Sequence, residues 1–178
     1  IPYNSDLIIL SVADTAIGEL TELIPDTSSV VVHTAGSVNI DAFGKTCRNY
    51  GVLYPLQSFR KERKLEYHSI PVFIEGSSQE VLDFIADFCN KVFPIQTKMN
   101  SEARMQLHLA AVFASNFVNA IYNMSYDIAQ KHNIDFTYLL PLIIETATRL
   151  NYGSPQQFQT GPALRSDNSV VNKHVEML

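Results

Sequence analysis

Short apolar runs rich in β-branched residues alternate with helix-spaced segments over residues 6–97, and beyond residue 97 the spacing is helical alone. That alternation predicts an α/β domain on a mostly parallel sheet, and the change of pattern predicts an all-α domain after it. The early strands read as continuous apolar runs, as strands do when both faces are covered. The expected division is therefore residues 1–97 and 98–178, with no internal repeat and no low-complexity segment.

Residues 6–12 (DLIILSV) give the first strand. Residues 14–23 carry Ile17, Leu20 and Ile24 at helical spacing, and Pro25 and Asp26 stop that helix. Residues 29–34 (SVVVHT) form a second buried strand, closed by a turn at Ala35-Gly36-Ser37. Residues 40–49 read as a short helix ending near Gly51. Residues 52–56 and 70–75 are the third and fourth strands, separated by the polar stretch 58–68. Val81, Leu82, Ile85, Phe88 and Cys89 make residues 77–91 an amphipathic helix, with Ser77 or Ser78 as its cap. Residues 92–97 give a short fifth strand. Residues 100–133 are one long helical run, and 136–150 are another with Pro141 in its first turns, where proline is tolerated. A Gly/Pro-rich connection, 152–165, precedes a last helix at 169–178.

Composition narrows the function. The chain has 178 residues, 46% hydrophobic and 17% charged, which is too apolar for a disordered chain. Its net charge of −5 argues against a general nucleic-acid binder and against an anionic membrane surface. Cys47 and Cys89 form no CxxC pair and no metal-ligand spacing, so a reduced, cytoplasmic setting is expected. No basic stretch opens the sequence as a signal peptide would. The most apolar run, 107–121, contains His108, Ser115, Asn116 and Asn119, and is too short and too polar to span a bilayer. Residue 1 is Ile and a strand follows almost at once, so the sequence reads as a fragment. No Gly-x-Gly-x-x-Gly, Walker loop, HExxH or Gly-x-Ser-x-Gly occurs.

The candidate site residues follow strands. Ser11 to Asp14 follow the first strand, where open parallel sheets bind ligands, although an ordinary loop with Asp14 as a helix cap also fits. Thr34, Ala35, Gly36 and Ser37 follow the second strand, and Gly36 permits close backbone approach or a positive φ. Tyr54 and Gln57 add a hydroxyl and an amide after the third, or mark a simple turn. In the long helix, segment 107–121 is apolar nearly all round and should be buried. At about 100° per residue, His108, Ser115, Asn116, Asn119 and Asn123 fall in one stripe, which lines a polar cleft or meets an interface. A satisfied core histidine is the plainer reading of His108. The basic run 60–64 is a solvated loop or a phosphate contact. Asn123-Met124-Ser125 matches a glycosylation sequon by chance, mid-helix. Thr160-Gly161-Pro162 with Arg165 and Asp167 is a polar cluster or a helix-capping turn.

The order DLIILSVADTAI, VVVHTAGS, YPLQSF, PVFIEGS, RMQLHLAAVFASNF and QTGPALRSD resembles a family of NADP-dependent oxidoreductases. These pair a Rossmann-like domain with a helical domain of unknown function. They are similar to pyrroline-5-carboxylate reductase, deazaflavin-dependent NADP oxidoreductases, and the 6-phosphogluconate and 3-hydroxyacid dehydrogenase group. The resemblance covers about residues 6–178. It implies that the first βαβ unit, with its fingerprint glycines, precedes this chain, and that the helical domain is truncated. By resemblance, Val12, Ala13 and Asp14 flank the cofactor ribose, and Thr34, Ala35 and Gly36 lie beside the nicotinamide. Ser37, Ser115, Asn116, Asn119 and Arg165 become substrate residues. Where 3-hydroxyacid dehydrogenases carry a catalytic lysine and an asparagine one turn later, this chain has His108 and Val112. His108 is the candidate proton donor.

The expectation is an oxidoreductase that moves hydride between NADP(H), or NAD(H), and a small carbonyl or imine. No metal is implied, and a homodimer through the helical domain is. The alternative is a non-catalytic dinucleotide-binding or dimerisation module. A stripe open to a cleft favours the first, and a stripe buried against another subunit favours the second.

Overall fold

The computed structural model describes residues 5–43 and 46–178. The chain divides into two compact units, Ile1–Asn119 and Ala120–Leu178.

The first unit holds one five-stranded sheet in the order β1 (Leu7–Leu10), β2 (Val30–His33), β3 (Asn49–Pro55), β4 (Val72–Gly76) and β5 (Gln96–Lys98). β1, β2 and β3 run parallel, β4 lies antiparallel to β3, and β5 is parallel to β4. This is the expected mostly parallel α/β sheet, of Rossmann-like form, followed by a helical region. Strand residues alternate between its two faces, with a period of two. Val30 and Val32 pack with Leu53, Val72 and Ile74 against Val81, Ile85 and Cys89 of α2 (Gln79–Asn90). Val31 points the other way and packs with Leu10, Ile24 and Phe43. Val31 and Val32 have no exposed surface, and burying each contributes about 1.5–3 kcal/mol, which fixes β2 between the layers. Ser78 caps α2 by accepting from the Val81 N–H at 3.2 Å.

β1 is followed by a 3₁₀ turn, Asp14–Ala16, that leads into α1 (Ile17–Glu22). The short helix expected over 40–49 is only a 3₁₀ turn, Ile40–Phe43; its Gly44 and Lys45 lie outside the described residues. Gly51 does not end a helix. It pairs with Gly76 inside the sheet, and a Cβ on it would meet Ile85 Cδ1 at 2.5 Å. Glycine there lets α2 sit close on the sheet.

After β5, Asn100 caps α3 (Ser101–Ala111) by accepting from the Ala103 N–H at 2.9 Å. A π-helical segment, Val112–Phe117, follows. The expected burial of 107–121 is not found within the single chain. Leu109 and Phe113 are 58% and 60% exposed, and Phe117 and Ile121 are also exposed.

In the second unit, α4 (Val118–Lys131) ends before a turn in which Asn133 takes a left-handed φ of 54°. Tyr126 meets Phe136 edge-on at 5.4 Å. Asp135 accepts from the Thr137 N–H at 2.8 Å, and this bond holds its carboxyl below the usual value. Pro141 sits in the first turn of α5 (Leu140–Thr148). Asp167 caps α6 (Asn168–Met177). No helix among the described residues is long and apolar enough to cross a membrane.

Candidate active site

The first unit carries a cleft of about 510 Å³. The carboxyl end of β3 and the loop after it supply Tyr54, Leu56, Gln57 and Ser58, and the long helix supplies a wall from Leu107 to Asn116. Most of this wall is alanine, leucine and valine, with His108, Ser115 and Asn116 as its polar members. An apolar cleft with a few converging polar groups is the usual form of a small-molecule site.

At its centre Tyr54 and His108 meet. The Tyr54 hydroxyl lies 3.0 Å from His108 Nδ1, and the rings stand edge to face with centroids 5.9 Å apart. Gly36 makes this approach possible. A Cβ there would fall 2.6 Å from His108 Nδ1 and 2.8 Å from Tyr54 Cζ, which no side chain tolerates. Gly36 does not take a positive φ, so close approach is the reason for glycine at this position. Burial and the nearby Asp14 charge push the Tyr54 phenol above its ordinary value, against the smaller opposing effect of Arg104. Tyr54 therefore stays protonated at neutral pH.

The loops after β1 and β2 converge beside this pair. Ser37 Oγ donates to Asp14 Oδ2, so Asp14 ties the two loops together and does not cap the following turn through its side chain. Val12, Ala13 and Asp14 are exposed, whereas Ala35 and Gly36 are buried. In open α/β sheets the crevice outside the carboxyl ends of the strands is where ligands bind.

A buried ion pair anchors the wall. Arg104, 1% exposed, pairs through Nη1 with Glu75 Oε2 of β4. Its Nη2 donates to the Val38 carbonyl at 2.6 Å and to Ser101 Oγ at 3.0 Å. Ser101 donates from its backbone N–H to Glu75 Oε1 at 3.0 Å and from its hydroxyl to Oε2 at 2.8 Å. The Ile40 N–H donates to that same hydroxyl at 2.9 Å. The network joins β4, the start of α3 and the loop after β2. His108 lies one turn beyond Arg104, so its position is set by this anchor. Burial and, less strongly, the Arg104 charge lower the His33 pKa to about 4. His33 stacks on Phe43 with centroids 5.4 Å apart and accepts from the Ala35 N–H at 3.2 Å.

The site residues named from the sequence separate into groups. His108, Ser115 and Asn116 line the cleft, whereas Asn119 lies outside its lining. The π segment explains the difference. A π turn holds more residues than an α turn, so residues after it are rotated away from a strict 100° periodicity. Arg165 is exposed, and no carboxylate or helix-terminal carbonyl pairs with its side chain among the described residues. Its segment is a capping turn: Gly161 takes a φ of 113° and the Asp167 N–H donates to the Pro162 carbonyl at 2.9 Å. The Tyr54–His108 bond and the Glu75–Ser101–Arg104 network were not read from the sequence. Their only trace was Gly36 together with polar residues placed four apart on an otherwise apolar helix. Among the described residues no group of His, Cys, Asp or Glu could hold a metal ion.

Comparison with solved structures gives the lineage. A protein of Bacteroides fragilis, provisionally named an NADP oxidoreductase, is 38% identical over the whole of this chain and 70% of its own, with a TM-score of 0.95. A Thermotoga maritima protein is 24% identical over 98% of this chain and 70% of its own, with a TM-score of 0.76. The 1-pyrroline-5-carboxylate reductase of Streptococcus pyogenes shares the fold at 12% identity, over 97% and 71% of the two chains, with a TM-score of 0.64. No curated protein matches the chain. The model of a domain of unknown function, DUF2520, matches residues 70–178, which include β4, the long helix and His108. On that match and on the 38% identity, the chain belongs to the DUF2520 family.

Proposed function

We propose that the chain is the nicotinamide- and substrate-side portion of an NAD(P)-dependent oxidoreductase, reducing a small carbonyl or imine with NADP(H). The supporting observation is the Tyr54–His108 pair in an apolar cleft beside the loops after β1 and β2. The similarity to a protein named for NADP oxidoreduction supports the same reading. Val12 to Asp14 and Thr34 to Gly36 would flank the ribose and the nicotinamide, and residues 1–97 would be the nucleotide-binding part. NADPH supplies a hydride when bound. That hydride would go to the carbonyl or imine carbon, leaving the oxygen or nitrogen to take up a proton. His108 gives the proton that this atom then takes up. Ser37, Ser115 and Asn116 orient the substrate. The alanine-rich wall excludes water, which strengthens polar contacts inside the cleft.

Asn119 lies outside the cleft lining and would reach the substrate only on ligand binding. The exposed apolar residues of the helices favour a homodimer, which is compatible with the enzyme. Saturable NADPH binding by the intact protein is the expected result of a fluorescence titration. No binding of either NADPH or NADH overturns the reading and leaves the dimerisation module.

A further inference from the structure

The geometry points to Tyr54 as the residue that sets the tautomer of His108, its hydroxyl donating to Nδ1 so that the imidazole carries its proton on Nε2. For its catalytic consequence this inference rests on the oxidoreductase reading; for the tautomer itself it does not.

Three contacts hold the pair. The Tyr54 ring is 8% exposed and packs against Phe73 with centroids 6.4 Å apart, so the hydroxyl has little freedom to swing. The hydroxyl meets Nδ1 at 3.0 Å. The bare backbone of Gly36 closes the third side, against both rings at once. A neutral imidazole has one donor and one acceptor nitrogen, and the hydrogen bond at one fixes the role of the other. His108 Nδ1 is the one hydrogen-bond partner of the Tyr54 hydroxyl among the described residues, so the phenol, which keeps its proton under burial and the Asp14 charge, directs that proton to Nδ1. Nδ1 is then the acceptor and Nε2 carries the proton; as Nε2 gives it to the substrate, Nδ1 takes the Tyr54 proton, so the imidazole stays neutral, and solvent returns a proton to the phenolate. Tyr54 acts through His108 and is a positioning residue. Asp14 is the charged group that connects this pair to the loop after β1, through Ser37.

The test compares the intact wild-type protein with Tyr54→Phe, which keeps the ring and removes the hydroxyl. Both are labelled with ¹⁵N at histidine and recorded at about pH 8, where an ordinary imidazole is neutral. The His108 signals are assigned by their loss in His108→Ala. The wild type is expected to show Nδ1 unprotonated and Nε2 protonated, and in Tyr54→Phe the two signals move towards each other as the tautomers mix. In the same samples kcat is expected to fall about tenfold, the scale of one lost hydrogen bond, with NADPH affinity unchanged. A protonated Nδ1 in the wild type overturns the inference, and so do His108 signals that stay put in Tyr54→Phe. Shifted signals with an unchanged kcat overturn the positioning role. A wild type that binds no nucleotide and turns nothing over rejects the oxidoreductase reading instead, and the nitrogen signals still decide the tautomer.

Discussion

His33 is a histidine whose chemistry is structural. It has no exposed surface, stacks on Phe43, and its pKa falls to about 4, through burial first and the Arg104 charge second. The folded state thus keeps it neutral, while the unfolded chain titrates near pH 6.5. Between these values the unfolded state binds the extra proton, so stability is full above about pH 6.5 and declines as pH falls towards 4. The loss is of the order of 3 kcal/mol once both states are protonated. His33→Phe should flatten the fall in melting temperature over that window, and an equally steep fall in the variant would assign the acid sensitivity elsewhere. The sequence shows His33 only as part of a buried strand. It could not distinguish this neutral histidine from His108, because what separates them is the Phe43 ring on one and the Tyr54 hydroxyl on the other.

At the scale of elements, the Arg104–Glu75 pair docks α3 against the sheet. Removing one member of a buried pair strands the other charge and typically costs about 3–5 kcal/mol. Arg104→Met should therefore lower stability by about that amount in urea unfolding, and Glu75→Gln by at least as much, because it strands the Arg104 charge at 1% exposure, whereas the carboxylate left by Arg104→Met is 17% exposed and keeps its Ser101 bonds. Equal stability of Arg104→Met and wild type would remove the pair from its anchoring role. Strands and long helices were legible because a period of two or of 3.6 is written in their own residues. The start of β3 was not, because Asn49, Tyr50 and Gly51 are held by pairing with β2 and β4 and not by local preference. The π segment was not legible either. An insertion of this kind is not visible to a 100° wheel, and it moved Asn119 out of the stripe.

For the whole molecule, the helices carry a series of exposed large apolar residues. Leu109, Phe113 and Phe117 recur every fourth residue in the first unit, and Ile121, Met124 and Ile128 recur in the second, all exposed. Apolar surface on this scale marks an interaction site. We expect a homodimer, seen as twice the chain mass in light scattering, and Phe117→Glu should shift it to monomer; a monomeric wild type would contradict this. Turnover tests His108 as the proton donor most directly. The intact protein is assayed with NADPH against imines and small carbonyls, wild type beside His108→Ala. A general acid contributes about 100- to 10,000-fold, so kcat should fall within that range while NADPH affinity holds. Equal turnover by the two proteins would contradict the assignment of His108 as the proton donor.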